Sequence, residues 1–327
     1  MSVQITIVGM GQLGTSIGLA LADRRDLIYR VGHDREFSIA RQAKKMGALD
    51  RVMINLPAAV READIVLLTL PMDQLRGTLE VIKDDLREGA VVMETGPAKV
   101  DFAAWAVELL PEGRYYVGLT PAINPDYLHE TGRGSEFAHR DLFRQGLIGI
   151  VTPPGVPSDA IKLAADFVHL LGAMPFFIDL LEMDGLLAAV YILPQLISAA
   201  LVNATVDQPG WQEARKFAGR AYAAASGAIA RSVTSASLSG AAISNRENVL
   251  RVLDNALAAL QALRDDVDQG NLSSLETRLS HAQEARQEWL KGRQSMDWIN
   301  TGQPAFEPPS TADWFGSLIG MRRKTKS

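Results

Sequence analysis

The sequence predicts an α/β protein in which a doubly wound, mostly parallel sheet is followed by an all-helical domain. Up to about Asp179, apolar runs typical of strands alternate with amphipathic helical patterns. A glycine-rich turn, Gly9–Gly14, directly follows the first of these runs. Beyond Asp179 the strand patterns give way to helical ones. Alternation of this kind indicates a parallel sheet that is covered by helices on both faces.

Apolar runs define the expected strands, and helical stretches separate most of them. The predicted strands are Gln4–Val8, Leu27–Gly32, Ile65–Leu70, Ala90–Glu94, Tyr115–Gly118, Leu147–Val151 and Met174–Phe177. The predicted helices are Thr15–Arg24, Phe37–Met46, Gln74–Ile82, Phe102–Leu110 and Ser158–Leu171. Ligands of open α/β sheets bind at the carboxyl ends of the strands. The loops expected there are Gly9–Gly14, Asp34–Arg35, Thr69–Asp73, Thr95–Lys99 and Thr120–Asn124.

The turn Gly9-Met10-Gly11-Gln12-Leu13-Gly14 has the spacing of a Rossmann-type dinucleotide-binding loop. Its first glycine permits a tight turn, the second lets the backbone approach a pyrophosphate, and the third lets the helix pack closely on the sheet. The following helix offers free N–H groups and the positive end of its dipole to phosphates. We therefore expect these residues to bind a nicotinamide cofactor. The alternatives are a glycine turn in an ordinary α/β unit and a Rossmann domain that no longer binds.

The end of the second predicted strand bears on the choice of cofactor. Asp34 stands twenty residues after Gly14, where a carboxylate accepts hydrogen bonds from the ribose hydroxyls and repels a 2′-phosphate. Arg35, beside it, is able to cover the adenine or to meet such a phosphate. The sequence therefore favours NAD and leaves NADP as the alternative.

Three segments are predicted: a dinucleotide-binding domain over residues 1–179, a helical substrate and dimerisation domain over 180–294, and a polar C-terminal tail over 295–327. Within the helical domain, the Ala-, Gly- and Ser-rich stretch Ala214–Ala236 suits close packing of helices. Ser244–Glu247 and Ser273–Glu276 are predicted capping boxes. The first opens a leucine-rich helix, and the second, with Asn271, opens a helix that runs to about Lys291.

Composition excludes several classes of function. Apolar residues make up 47% of the 327 residues, which is enough for a large core, and the net charge of −5 gives no sign of nucleic-acid binding. The chain has no cysteine, which excludes disulfides, thiolate catalysis and Cys-ligated zinc. We expect no metal site. The lack of cysteine and of a leader before the first strand predicts a cytoplasmic protein.

One uncharged stretch, Gly185–Val206, is long enough to cross a bilayer. Polar residues interrupt it, and acidic Asp184 and Asp207 flank it without a basic bias on either side. We interpret it as a buried helix of the helical domain and expect no contact with a membrane. This helix and the leucine-rich helix after Ser244 need more partner surface than a small bundle supplies, which predicts a homodimer.

Further motifs follow one another along the chain. They are Gly32–Arg35, Ala63–Pro71, Glu94–Lys99, Gly118–Pro121, Asp141–Phe143, Thr152-Pro153 and Asp184–Leu196. In these motifs, and over residues 3 to about 270, the chain resembles the prephenate/arogenate dehydrogenase family. The resemblance implies a Rossmann domain joined to a dimerising helical domain, and oxidation of prephenate or arogenate by NAD or NADP with loss of carbon dioxide, in the tyrosine biosynthesis class. It also implies that Thr69, Leu70 and Pro71 lead the chain to the nicotinamide.

The same resemblance locates departures from the family in the substrate half. Thr120 stands at the position of the family's catalytic histidine, and Pro97 at that of a supporting serine. Two histidines of the family's interdomain helix correspond to Ile192 and Gln195. Arg231 is the one arginine retained from a stretch that holds substrate carboxylates. The histidines of this chain lie elsewhere, at His33, His129, His139, His169 and His281.

The interdomain helix carries candidates to replace the family's catalytic groups. Asp184, Ala188, Tyr191 and Gln195 share one of its faces at α-helical spacing. Tyr191 is a candidate proton donor or acceptor if its pKa is lowered, and Asp184 is a candidate base. The alternatives are a packed aromatic for Tyr191 and a helix cap for Asp184. Thr120, Gln195 and Arg231 are expected to bind substrate, although Arg231 is otherwise a helix-surface residue.

The predicted function is that of an NAD(P)-dependent oxidoreductase that resembles prephenate dehydrogenase but has a rewritten substrate site. One alternative is a dinucleotide-binding protein without catalysis, and another is a reductase or dehydrogenase of a different small hydroxy or carbonyl compound. A third is a base elsewhere in the helical half, if the correspondence with the family is shifted there. The sequence leaves open the true substrate and whether the protein is active.

Overall fold

The computed structural model describes residues 2–231 and 234–296 of the chain. Its centre is an eight-stranded sheet made of β1 (Val3–Val8), β2 (Ile28–His33), β3 (Arg51–Val52), β4 (Ile65–Leu68), β5 (Val91–Glu94), β6 (Tyr115–Ala122), β7 (Leu147–Val151) and β8 (Met174–Phe177). The strand order is β3-β2-β1-β4-β5-β6-β7-β8. β6 and β7 pair antiparallel, and the other neighbours pair in parallel. The predicted doubly wound, mostly parallel sheet is confirmed.

The observed strands differ from the predicted ones mainly at their ends. β3 was not predicted, because two residues show no periodicity. β6 continues past Gly118 to Ala122, although Pro121 lies within it. Its far half pairs antiparallel with β7 at the edge of the parallel region, which keeps it extended beyond the residues that look strand-like.

Helices cover both faces of the sheet. They are α1 (Gln12–Ala20), α2 (Phe37–Lys45), α3 (Leu56–Val60), α4 (Met72–Ile82), α5 (Lys99–Leu109) and α6 (Ser158–Leu170). α1, α4 and α5 begin two or three residues before the predicted positions of Thr15, Gln74 and Phe102. The first turn of a helix has no intrahelical acceptors for its N–H groups and need not carry the apolar stripe, so periodicity locates its start late.

The helical half begins where the last strand ends. α7 (Leu180–Leu187), a π-helical turn (Ala188–Ile192) and α8 (Leu193–Val206) form one continuous helix. α9 (Trp211–Ala214), α10 (Arg220–Ser226), α11 (Ser235–Ser244), α12 (Arg246–Asp268) and α13 (Leu272–Ser295) follow. Asp179 caps α7 by accepting from Leu181 N–H at 2.8 Å. The strands thus end and the helices begin near this residue, and the domain boundary placed here stays a prediction.

Within Ala214–Ala236, α10 packs against α8, as the expected close approach of helices requires, although most of the described residues of the stretch are exposed. Both predicted capping boxes are wrong. Ser244 does not open a capping box, since it is the last residue of α11. Asn271, and not Ser273, caps α13 by accepting from Ser274 N–H at 3.2 Å. The predicted tail, residues 295–327, lies outside the described residues beyond Met296.

The two halves share one of the two large clusters of the hydrophobic core. One cluster fills one face of the sheet, and a second cluster fills the opposite face, since alternate residues of each strand point to opposite sides. The second cluster includes buried side chains from the helical half, namely Ala188, Ile192, Leu238, Ala241, Val249 and Val252. The helical half is therefore packed directly onto α4 and α5, beside the carboxyl ends of the strands.

The uncharged helix is not buried within a single chain, contrary to expectation. The continuous helix Leu180–Val206 is long and apolar enough to cross a membrane by length and composition, and only 28% of its most apolar window is buried. Leu181 is 69% exposed and Val190 is 73% exposed. A large apolar face thus remains open on the outside of the helical half.

Candidate functional site

The glycine turn joins β1 to α1 with the close packing that its motif predicts. Gly9 has a φ of +96°, and a Cβ there would lie 2.6 Å from the carbonyl oxygen of Thr69. A Cβ on Gly14 would lie 2.0 Å from the carbonyl oxygen of Gly9. Thr69 Oγ1 donates to that same oxygen at 2.6 Å. Contacts within the protein therefore require glycine at both ends of the turn.

Gly11 is different, because contacts within the protein do not require a glycine there. Its φ of −70° is open to any residue. The nearest atom to a Cβ at this position would be the carbonyl oxygen of Arg133, at 3.6 Å, which is an ordinary contact. Contacts within the chain thus leave the glycine at position 11 unexplained, as expected if it serves the pyrophosphate of a dinucleotide.

The other predicted cofactor residues converge on this turn. Asp34 Oδ2 accepts from Met10 N–H at 2.7 Å, and Oδ1 accepts from Glu36 N–H at 2.8 Å. An ionised carboxylate has about four acceptor positions, so Asp34 is still able to receive ribose hydroxyls. Arg35 is exposed beside it. Leu70 packs against Gly9, and Pro71 precedes the first residue of α4.

A fully buried ion pair, which sequence analysis did not identify, lies at the carboxyl ends of β5 and β6. Lys99 Nζ donates to Glu94 Oε1 at 2.8 Å and to the carbonyl oxygen of Leu119 at 2.7 Å. Tyr116 donates its hydroxyl to the same Glu94 oxygen at 2.9 Å. Both members of the pair are 0% exposed. The sequence motif holds both residues, but only the start of α5 at Lys99 brings them together.

Burial determines the protonation chemistry of this cluster. It lowers the pKa of Lys99, against the opposing effect of the neighbouring Glu94 carboxylate. It raises the pKa of Tyr116 well above the usual range, and the Glu94 charge acts in the same direction. Tyr116 therefore stays protonated and donates. The Lys99 and Glu94 side chains are engaged with each other and with the backbone.

Asp184 links the helical half to this pair. Its Oδ1 accepts from Lys99 N–H at 2.6 Å and its Oδ2 from Val100 N–H at 3.0 Å, so it caps α5. Asn245 Nδ2 donates to the Asp184 carbonyl at 2.6 Å. Burial raises the pKa of Asp184, yet both carboxylate oxygens are occupied. This geometry favours a capping role for Asp184 over a role as a base. The helix that Asp184 caps is α5, however, and not α7, in which it lies.

The predicted shared face of the interdomain helix is broken by the π-helical turn. A π turn holds more residues than an α turn and shifts the residues that follow around the axis. As a result Ile192 is buried, whereas Tyr191 is 47% exposed. Partial burial raises the pKa of its hydroxyl, against the opposing effect of a hydrogen bond from Gln195. The raised pKa disfavours Tyr191 as a base, while its exposure disfavours a fully packed aromatic, so its role stays a prediction.

Two of the three predicted substrate residues carry polar atoms that are buried without a hydrogen-bond partner in the described part of the chain. They are Thr120 Oγ1 and Gln195 Oε1. Gln195 is 5% exposed, and its Nε2 donates to the carbonyl oxygen of Tyr191 at 2.8 Å. Thr120 pairs with Gly149, at which a Cβ would lie 2.3 Å from Met183 Cε. Thr120 therefore lies on the sheet face that α7 covers.

The remaining predictions have separate outcomes. The side chain of Arg231 lies outside the described residues, so its predicted contact with substrate stays a prediction. His33 Nδ1 lies 3.0 Å from the Met53 carbonyl, and the His139 ring stacks on Tyr127 at a centroid distance of 4.0 Å. Among the described residues, no group of three or more His, Cys, Asp or Glu side chains is arranged to hold a metal ion.

Comparison with known proteins agrees with this arrangement. Residues 17–175 match the model of the prephenate dehydrogenase nucleotide-binding domain. The cyclohexadienyl dehydrogenase of Zymomonas mobilis is 23% identical over 285 residues, which span 86% of this chain and 94% of that protein. The prephenate dehydrogenase of Bacillus subtilis is 22% identical, over 83% of this chain and 72% of that protein. The chain is thus similar to prephenate and cyclohexadienyl dehydrogenases over most of its length.

Solved structures of prephenate and arogenate dehydrogenases share the fold. Prephenate dehydrogenase from A. aeolicus, in complex with hydroxyphenyl propionate and NAD⁺, superposes with a TM-score of 0.76 at 18% identity, over 88% of this chain and 98% of that chain. Synechocystis arogenate dehydrogenase gives a TM-score of 0.67 at 21% identity, over 88% and 99%. At this level of identity, the likeness establishes the Rossmann sheet and its helical half as the common fold.

Proposed function

We propose that the chain is an NAD-dependent oxidoreductase whose substrate is a small hydroxy or carbonyl compound other than prephenate. The observation that carries the proposal is the glycine turn, in which internal contacts account for Gly9 and Gly14 but not for Gly11. The match of residues 17–175 to a nucleotide-binding domain and the NAD⁺ bound to the A. aeolicus enzyme support the same cofactor. Asp34 favours NAD over NADP, because its carboxylate repels a 2′-phosphate.

The residues of the substrate half explain why we expect prephenate to react poorly. Bound NAD⁺ would accept a hydride from a carbon whose hydroxyl loses a proton in the same step. Thr120 stands where the family resemblance implies a histidine, and its hydroxyl has no partner in the described part of the chain. A threonine hydroxyl and the Gln195 amide are able to orient a reacting oxygen, but neither takes up a proton near neutral pH. Thr120 and Gln195 are therefore assigned to substrate binding.

A dinucleotide-binding protein without catalysis is the second candidate. It is favoured by the engagement of the ionisable groups beside β6. Lys99 and Glu94 are fully buried and bond each other, and Asp184 caps α5 with both oxygens. An enzyme of this design needs a base supplied by its substrate or by water.

The cofactor proposal predicts opposite behaviour of two glycine variants. Gly11→Ala should fold with an unchanged free energy of unfolding, since its methyl group meets only an ordinary contact, but should weaken NADH binding at least about tenfold by blocking the pyrophosphate. Gly14→Ala should lose stability, because its Cβ would lie 2.0 Å from the Gly9 carbonyl oxygen. Nicotinamide fluorescence titration and urea unfolding measure the two effects.

Titration of the wild-type protein with both cofactors completes this test. NADH should bind more tightly than NADPH, and Asp34→Asn should bring the dissociation constants of the two cofactors closer together. Wild-type affinity in Gly11→Ala, or no binding of either cofactor by folded wild-type protein, would contradict the cofactor proposal.

The substrate proposal predicts that purified protein with NAD⁺ oxidises prephenate and arogenate very slowly or not at all. Loss of a general base alone removes about 10²–10⁴-fold in rate. The measurement is the formation of NADH over time with each compound. Thr120→His is the matched variant, and any rise in prephenate turnover in it should be absent from Thr120→Val. Turnover by the wild type at ordinary enzymatic rates would show that the substrate half still performs the family's reaction.

We further propose that a second copy of the chain covers the apolar face of the helical half. Leu181 and Val190 of the long helix are 69% and 73% exposed, and Leu257 and Leu260 of α12 are 62% and 55% exposed. Apolar surface of this extent is typical of an interface in an oligomer. A homodimer accounts for this exposed surface, and the family resemblance likewise implies a dimerising helical domain. A cytoplasmic location stays a prediction from composition.

This proposal predicts that the wild type has twice the 35.5 kDa mass of the chain in light scattering, and that Val190→Asp dissociates it. Val107→Asp is the matched control, because Val107 is 74% exposed near the end of α5 opposite to the one that Asp184 of the long helix caps. It should remain dimeric. A monomeric wild type, or protein that sediments with membranes, would contradict the dimer.

A further inference from the structure

The connection between β6 and β7 passes over the glycine turn. Its residues 127–139, here called the strap, contact both the backbone and the side chain of Gln12. The carbonyl oxygen of Arg133 accepts from the backbone N–H of Gln12 at 2.9 Å. The carbonyl oxygen of Phe137 accepts from Gln12 Nε2 at 2.9 Å. The strap therefore occupies one of the first-turn N–H groups of α1, which have no acceptor inside the helix.

Glu130 and His139 hold the strap in this position. Glu130 Oε2 accepts from Gln12 Nε2 at 3.3 Å, and its Oε1 lies 2.8 Å from His139 Nε2. The backbone N–H of His139 donates to Ser16 Oγ at 3.0 Å. The His139 ring also stacks on Tyr127, with the planes 11° apart. Glu130 thus contacts both His139 at the end of the strap and Gln12 of the glycine turn, although its side chain is 31% exposed.

We infer that the strap and the pyrophosphate of the dinucleotide compete for the Gln12 N–H, so that Glu130 is a positioning residue that sets the affinity for the cofactor. The inference rests on the proposed NAD binding. An N–H that donates to the Arg133 carbonyl is not free for a phosphate oxygen. The carbonyl oxygen, which is itself an acceptor, also repels the negative charge of the phosphate. The first turn of α1 serves the cofactor only after the strap has moved.

Competition of this kind weakens binding, because the apparent Kd equals the intrinsic Kd divided by the fraction of molecules in which the strap is released. Side chains that lie outside the nucleotide-binding motif therefore control cofactor binding. Loosening the strap should tighten binding, which is the opposite of what removing a residue from a binding site does. This sign separates the inference from a merely supportive role of the strap.

The test uses the full chain with Glu130→Ala and, as matched control, Glu136→Ala. Glu136 is an exposed carboxylate on the same strap, so both variants remove one negative charge near the turn. Glu130→Ala should lower the apparent Kd for NADH about five- to tenfold, as expected for loss of charged hydrogen bonds that close the strap. Glu136→Ala should stay within about twofold of the wild type. Hydrogen exchange of the 9–16 peptide without cofactor should be faster in Glu130→Ala alone.

An unchanged or weakened NADH affinity in folded Glu130→Ala, while the wild type binds, would overturn the competition. Absence of NADH binding in the wild type and in both variants would instead overturn the proposed function, and the competition would fall with it. Tyr127→Phe provides a milder variant, because it removes the 2.7 Å hydrogen bond from Tyr127 to Asp141 and keeps the ring stack. It should shift the affinity in the same direction by a smaller factor.

Discussion

The buried ion pair between Glu94 and Lys99 is the interaction on which the rest of the site depends. It joins the end of β5 to the start of α5, and through the Leu119 carbonyl it also holds β6. The Asp184 carboxylate continues this connection into the helical half by capping α5. A lysine without exposure is stable only when its charge is paired and its donors are used. The pair therefore determines where Thr120, one residue beyond Leu119, is placed.

This constraint explains how the two halves of the molecule differ. The glycine turn and the end of β2 keep the shape that a dinucleotide requires, because internal contacts with Thr69 demand glycine at Gly9 and Gly14. The groups presented to a substrate have no such internal requirement. Thr120 and Gln195 sit in a rigid frame and leave polar atoms without partners. A frame of this kind keeps its geometry while the chemistry at its edge changes.

The sequence predicted the fold well, since the features that define it are local. Buried strands, a glycine turn and a helix at fixed spacing were sufficient for the sheet and for the cofactor residues. The π-helical turn was not predictable in this way, because helical periodicity does not show where an extra residue is inserted into a turn. It moved Tyr191 out of the face on which an ideal helix places it. The capping of α5 by Asp184 joins residues 84 positions apart along the chain, and no local pattern reports such a contact.

The central claim, that one buried pair holds the reactive edge of the sheet, is tested most directly by a double-mutant cycle of Lys99→Met and Glu94→Gln. The free energy of unfolding is measured for the wild type, both single variants and the double variant. Each single variant should lose about 3–5 kcal/mol, because it leaves one buried polar partner uncompensated. The double variant should lose much less than the sum of the two. Losses that simply add would contradict the claim, since they would show that the two side chains stabilise the fold independently.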